Sequence, residues 1–362
     1  MGLEFFTGFE GINSWEEMIG FFSDVETYYQ GTSSETVAFK TSGGLDDGKC
    51  IGICYWENKI FGYATINVTS VKTVALGFHI RNANYCPGWS SDYNSKRFYI
   101  CKLNGADISL WNTDDGVAVY NAAGTRLALY EHIMSSGIHH VETKVYSNAS
   151  AGTVTVKIDG LEIISLTGAN TSGNDITSVT LGNTARCSVE GDVIDIYGDS
   201  LRGWAYFDNI YIADDLQGEL ASYLIKPESD DSVQWTPSTG ADNYAMVDEV
   251  GSDGDTTYVE TTTAGYKDFY EFEDLPGTVT TINGVSVVVV AKKVDPSGLT
   301  QVQLLAEQDA SEYEVGDAFT LTTEYPENFS EAQCRVFSTC PDGTAWTPAK
   351  LNAIKWGIKA VA

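Results

Sequence analysis

The run from Gly203 to Asp214, Gly-Trp-Ala-Tyr-Phe-Asp-Asn-Ile-Tyr-Ile-Ala-Asp, limits what this chain can fold into more than any other segment. Its residues alternate in a period of two, the pattern of a half-buried strand, whereas a helix would scatter them around its circumference. Strict alternation puts Tyr206, Asp208, Ile210 and Ile212 on one face and Phe207, Asn209, Tyr211 and Ala213 on the other. Upstream, His140–Tyr146 and Gly152–Ile158 read as two strands of a hairpin. Asp159-Gly160 then supplies a tight turn into a third strand, Leu161–Leu166.

Strand signals recur at Thr36–Thr41, Cys50–Trp56, Thr73–Arg81, Arg97–Leu103, Ile108–Asn112, Val117–Asn121 and Thr125–Tyr130. Turn residues separate them, as in Ser42-Gly43-Gly44 and Asn104-Gly105, and the spacing is that of a sandwich. The stretch from Trp15 to Tyr29 reads as holding a short helix. No strand–helix alternation marks a nucleotide-binding α/β fold. Residues 1–222 therefore read as one β-sandwich.

A break follows between 215 and 235, with a turn of helix over Gly218–Ala221 and a proline-stopped linker, Tyr223–Asp231. Residues 223–362 read as a smaller β-rich domain. Val285–Val290 is its strongest strand, apolar enough for burial on both faces. Further strands are expected at Thr256–Thr261, Val302–Ala306 and Phe319–Tyr325. A short C-terminal helix is expected over Ala349–Trp356. Thr347 would be its N-cap, Pro348 its first residue and Gly357 its stop.

Charge narrows the classes of partner. Fifty acidic residues against 21 basic ones give a formal charge of −29 over 362 residues. Such a surface repels nucleic-acid phosphates and anionic membranes, and no apolar run is long enough for a spanning helix. The N-terminus lacks the basic start and apolar core of a secretion signal. Seven cysteines cannot all pair within one chain. Cys334 and Cys340 flank a short loop that a bridge could close, but buried free thiols are the default.

The first part resembles the concanavalin A-like jelly-roll sandwiches of the laminin-G type found in virion proteins of tailed bacteriophages. The residues that carry the resemblance are Phe9-Glu10-Gly11, Val141-Glu142-Thr143-Lys144, Ala151-Gly152-Thr153-Val154, Gly160 and Phe207–Ile212. The resemblance implies pairing of the first and last strands, Phe5–Phe9 beside Tyr206–Ile212. The second part looks like a small module of the same class of proteins, on Trp235-Thr236-Pro237, Val247-Asp248-Glu249, Asp255–Val259, Asp268-Phe269-Tyr270, Trp346-Thr347 and Asn352-Ala353. The resemblance implies a non-enzymatic structural protein of a phage particle, assembled in the bacterial cytoplasm and exposed as a decoration, fibre or tail appendage. Its partners would be other virion proteins and copies of itself, as a trimer or dimer. The alternative is a carbohydrate-binding adhesin that recognises host-surface glycans.

The residues themselves offer few chemical constellations. Glu142 and Asp208 are candidates for the paired carboxylates of a glycosidase, but chance pairs abound among fifty acids. His79, His132, His139 and His140 neighbour no nucleophile elbow, and His139 and His140 point to opposite faces of their strand. No catalytic residue and no cofactor are therefore assigned. Calcium is the small partner to test, on Asp114 and Asp115 or on Asp253 and Asp255. The loops at Asp46-Asp47 and Asp195–Asp199 offer the same chemistry, and each also reads as a solvated turn. The aromatic loop carrying Tyr85, Trp89 and Tyr93 suits a glycan platform or a subunit interface. Trp235, Trp346 and Trp356 are candidates for core or interface.

Overall fold

The computed structural model describes residues 3–7, 22, 24–29, 37–40, 50–56, 60–83, 98–113, 115–132, 134, 137–182, 202–249, 253–295, 298–325 and 334–362. The chain is mainly β and divides into two compact units, with the boundary after Ser222.

The first unit is a β-sandwich of jelly-roll type. Its strands begin with β1 (Leu3–Thr7), β2 (Asp24–Tyr29), β3 (Val37–Lys40), β4 (Cys50–Trp56) and β5 (Ile60–Val71). They continue with β6 (Thr73–Ala83), β7 (Phe98–Asn104), β8 (Ile108–Thr113), β9 (Gly116–Tyr120) and β10 (Arg126–Tyr130). The set closes with β11 (Ile138–Tyr146), β12 (Gly152–Ile158), β13 (Leu161–Ala169), β14 (Ile176–Gly182) and β15 (Arg202–Ala213). The hydrogen-bonded order is β10-β9-β8-β7-β14-β5-β4-β15-β6-β11-β12-β13, and β1 pairs with β15 through Phe5↔Ile212 and Phe6↔Tyr211.

Alternation supplies the core. Phe78, Ile80, Val141, Val145, Val154, Val156, Phe207 and Ile212 are almost fully buried on one side, and Ala64, Ile66, Leu103, Leu110, Val119, Val179 and Leu181 on the other. Each large side chain buried this way stabilises the fold by about 1.5–3 kcal/mol. The Phe78 and Phe207 rings meet edge to face at 5.4 Å. The turn after β12 has both central residues at positive φ, Asp159 at 51° and Gly160 at 78°, which is why Asp-Gly occupies it.

Several sequence expectations change. The β15 register shifts between Asp208 and Tyr211, with Asn209 left-handed at φ 46°. Parity therefore flips in mid-strand. Asp208 and Tyr211 share one face, because they pair with His79 and Gly77, while Phe207 and Ile212 share the other, opposite Ile80 and Leu76. The expected helix within Trp15–Tyr29 is replaced over Asp24–Tyr29 by strand β2. Strands β5 and β14 add to the expected set; turn-like Thr, Ser and Asn residues interrupt their apolar pattern and hide them in the sequence. Gly218–Ala221 forms no helix, and it belongs to an irregular segment after β15.

The second unit contains β16 (Pro227–Val233), β17 (Thr236–Pro237), β18 (Val259–Glu260), β19 (Lys267–Phe272) and β20 (Val285–Val288). It continues with β21 (Gln301–Gln308), β22 (Ser311–Glu314), β23 (Phe319–Thr320), β24 (Cys334–Phe337) and β25 (Lys355–Val361). Its main sheet runs β16-β19-β25-β21-β22. Part of the expected linker is thus an acidic edge strand, β16. The valine run is also corrected. Among the described residues it pairs only with β24, and Val288 is 43% exposed, so apolar content alone did not make a central strand. The expected helix is shorter and spans Pro348–Ala353, with Thr347 Oγ1 accepting from the Lys350 amide at 3.2 Å. Gly357 does not end it. That residue lies inside β25, where a Cβ would come within 2.3 Å of the Asp268 carbonyl.

Candidate functional site

Two polar assemblies stand out in the first unit. The first is a row of side chains on the face of the β5-β14-β7-β8-β9 strands opposite their apolar residues. Cross-strand register aligns Thr65 with Thr180, Thr180 with Lys102, Lys102 with Ser109 and Ser109 with Tyr120. Directly paired residues point to the same side of a sheet, so these five form one ladder. Asn67, Ser178 and Asn104 form a second rung beside it.

The row is knitted by its own hydrogen bonds. Thr65 and Thr180 join through their hydroxyls at 3.0 Å. The Asn104 side-chain amide donates to Ser178 Oγ at 3.0 Å and to Thr180 Oγ1 at 2.8 Å. At the far end the Trp111 indole donates to Ser109 Oγ at 3.1 Å, and its ring meets Tyr120 edge to face. Thr65, Lys102, Asn104, Ser109 and Ser178 are half-buried, while Thr180, Trp111 and Tyr120 are buried. Hydroxyls and amides fixed in this way present donors and acceptors at defined positions. The cations at this sheet carry carboxylates of their own: Lys102 with Asp107 at 3.4 Å, and Arg126 with Asp115 at 3.5 Å.

The second assembly lies on the face of β15, β6 and β11 that carries His79. Here the fold brings together His79, His140, Glu142 and Asp208, candidates that stand far apart in the sequence. It adds Tyr211 and Asn209, which no sequence signal singles out. The imidazoles of His79 and His140 lie 5.1 Å apart, and Glu142 accepts a hydrogen bond from the Tyr211 hydroxyl. Gly77 makes room for this bond, since a Cβ there would sit 2.1 Å from the Tyr211 ring. The chain after β15 crosses the cluster. The Gly218 amide donates to Glu142 at 2.8 Å, the Gln217 amide to the Tyr211 hydroxyl at 2.9 Å, and Glu219 meets His79 at 3.0 Å.

Glu142, Asp208 and both histidines are buried beneath this strap, so the candidate carboxylates face protein. Burial pushes the Tyr211 phenol up, and the Glu142 carboxylate reinforces the shift. Burial likewise holds the His140 imidazole below the ordinary histidine range; His79 adds to this while Glu142 and Glu219 pull the other way. His139, on the opposite face, bonds Asp159 at 2.8 Å.

The remaining sequence candidates disperse. Tyr85, Trp89, Tyr93 and Asp114 lie outside the described residues, as do the loops at Asp46-Asp47 and Asp195–Asp199. Asp115 pairs with Arg126. Asp253 accepts from the Thr257 hydroxyl at 2.7 Å, and Asp255 pairs with Lys292 at 2.6 Å. Among the described residues no three His, Cys, Asp or Glu side chains converge as a metal site. In the second unit Trp346 and Trp356 sit in the core with rings 6.3 Å apart, and the Trp235 indole donates to the Tyr266 carbonyl. Asp268, fully buried there, accepts from the Gln234 and Trp235 amides, the Asn243 side chain and the Tyr270 hydroxyl. Its lone pairs are occupied by the fold itself. Cys340 is a buried free thiol, the default expected from the sequence, and the bridge that the short loop allowed is not formed.

No family model matches this chain, and no curated protein does. Solved structures do. An endo-β-1,4-glucuronan lyase from the fungus Trichoderma reesei is 10% identical with a TM-score of 0.41, over 59% of this chain and 96% of that one. The cellulose induced protein Cip1 is 13% identical with a TM-score of 0.40, over 59% and 99%. The alginate lyase Aly36B is 14% identical with a TM-score of 0.34, over 54% and 98%. At this identity the likeness concerns the type of fold. The polysaccharide lyases among these structures lend no support to two expectations, the phage structural role and the assignment as a non-enzyme, and neither is retained.

Proposed function

We propose that the first unit binds a glycan on the polar row of β5, β14, β7 and β8. The observation that carries this reading is the ladder Thr65–Thr180–Lys102–Ser109, with Asn104 donating twice into it. Sugars present hydroxyls that both donate and accept, and a rigid surface of hydroxyls and amides matches them without the cost of ordering flexible side chains. Half-burial of Thr65, Lys102, Asn104 and Ser109 supports the same reading, because it gives these polar groups a fixed direction while leaving one side open. An outer sheet face is ordinarily polar, but it is ordinarily populated by long charged side chains. Here short uncharged ones dominate, and the one lysine is held by a carboxylate.

Affinity electrophoresis of the full chain through gels containing a panel of polysaccharides tests the proposal. Retardation by at least one glycan is expected, weakened about tenfold by Asn104→Ala with the unfolding midpoint kept above the assay temperature. Retardation that persists unchanged in Asn104→Ala and in Thr65→Val would place binding elsewhere and overturn the assignment.

A further inference from the structure

We infer that the glycan this row accepts is uncharged, and that polyuronates are excluded from it. The inference rests on the binding reading above and specifies its ligand. A uronate chain carries a carboxylate on every sugar, and the strongest hydrogen bonds to an exposed carboxylate come from guanidinium or ammonium groups. Among the described residues of β5, β14, β7, β8, β9 and β10 and the turn after β5, each such group has a carboxylate partner. Lys72 pairs with Asp175 at 2.7 Å, and Asp175 is also held by the Ser70 hydroxyl at 2.9 Å. Those two partners keep its carboxyl below the usual range. Lys102 pairs with Asp107, and Arg126 with Asp115. A uronate binding at any of them would bring its carboxylate beside an aspartate already in place, and the two like charges would repel.

The whole molecule adds to the local effect. A protein of charge −29 repels a polyanion before contact, and this repulsion is screened only beyond a Debye length of about 8 Å at physiological salt. The interior of the row is hydroxyl and amide, so a neutral chain meets no such barrier and loses nothing as salt is raised.

The Lys102–Asp107 pair provides a way to reverse the preference. Asp107 lies in the turn after β7 at φ 52°, a conformation that Asn tolerates as readily as Asp. Asp107→Asn therefore releases the Lys102 ammonium without demanding a new backbone. The test compares retardation of the full chain by neutral polysaccharides (xylan, mixed-linkage β-glucan, arabinan, galactan) and by polyuronates (alginate, polygalacturonate), at low and high sodium chloride. Retardation by a neutral glycan is expected to be independent of salt, with polyuronates bound at least about tenfold more weakly. Asp107→Asn is expected to raise the ratio of polyuronate to neutral retardation, and an unchanged ratio overturns the inference. Polyuronate binding as tight as neutral binding, or tighter at low salt, overturns the inference and leaves glycan binding standing. Retardation by neither class overturns the binding reading itself.

Discussion

At the scale of single residues, the cluster under the strap shows how one small residue sets the position of several large ones. Gly77 has no side chain, so Tyr211 crosses its Cα and reaches Glu142 on the next strand. None of this is readable from Gly77 in the sequence, where it looks like an interruption of a strand. The histidines were visible as residue types, but their meeting was not, since His79 and His140 become neighbours only through the β6–β11 register. Their burial has a consequence in solution. The folded state holds the His140 imidazole below its usual range, so under acid the unfolded chain takes up a proton that the folded chain refuses. Stability should therefore fall as pH drops below about 6.5, the ordinary histidine value. Chemical denaturation across that range should show the slope, and His140→Gln should flatten it. His79, Glu142, Glu219 and Asp159 face this imidazole, and an unaltered slope in the variant would show that its burial is not the source of the dependence.

At the scale of elements, period-two reading located most strands of the first unit and failed at a bulge. The run from Gly203 to Asp214 is a strand, but one inserted residue reverses its faces half-way, and no composition rule marks the place except an Asp-Asn pair able to adopt a left-handed turn. Hydropathy failed in the opposite sense for the second unit. Val285–Val288 has the apolar content of a central strand and, among the described residues, pairs with one neighbour, while acidic Pro227–Val233 is a true strand because an edge tolerates charge. The candidate glycan row was illegible for a related reason. Its residues are ordinary Thr, Ser and Asn in separate strands, and strand order is not written in the local pattern. The strap after β15 offers a direct check. The amides of Gln217 and Gly218 lie in an irregular segment yet donate to buried acceptors, so both should exchange with deuterium far more slowly than other irregular segments. Glu142→Ala should speed exchange at Gly218 by at least about tenfold. Equal rates in the two proteins would show that the strap is held by other contacts.

At the scale of the whole molecule, charge was the most legible property and its physical meaning the most direct. Self-repulsion among fifty acidic residues lowers the stability of any compact state, and salt relieves it. The thermal midpoint should rise steadily with sodium chloride from low to physiological concentration, and a flat or falling midpoint would show that the ion pairs contribute more than the repulsion takes away. The jelly-roll order also has a bearing on how the polar row comes into being. Thr65 and Thr180 touch although 115 residues separate them in the chain, and the strands between β5 and β14 wind through the sandwich before the two meet. Such distant closures come late and slowly when a polypeptide folds. A nascent or half-collapsed molecule consequently has no row to offer, and sugar recognition would begin only when the last of these long loops had shut.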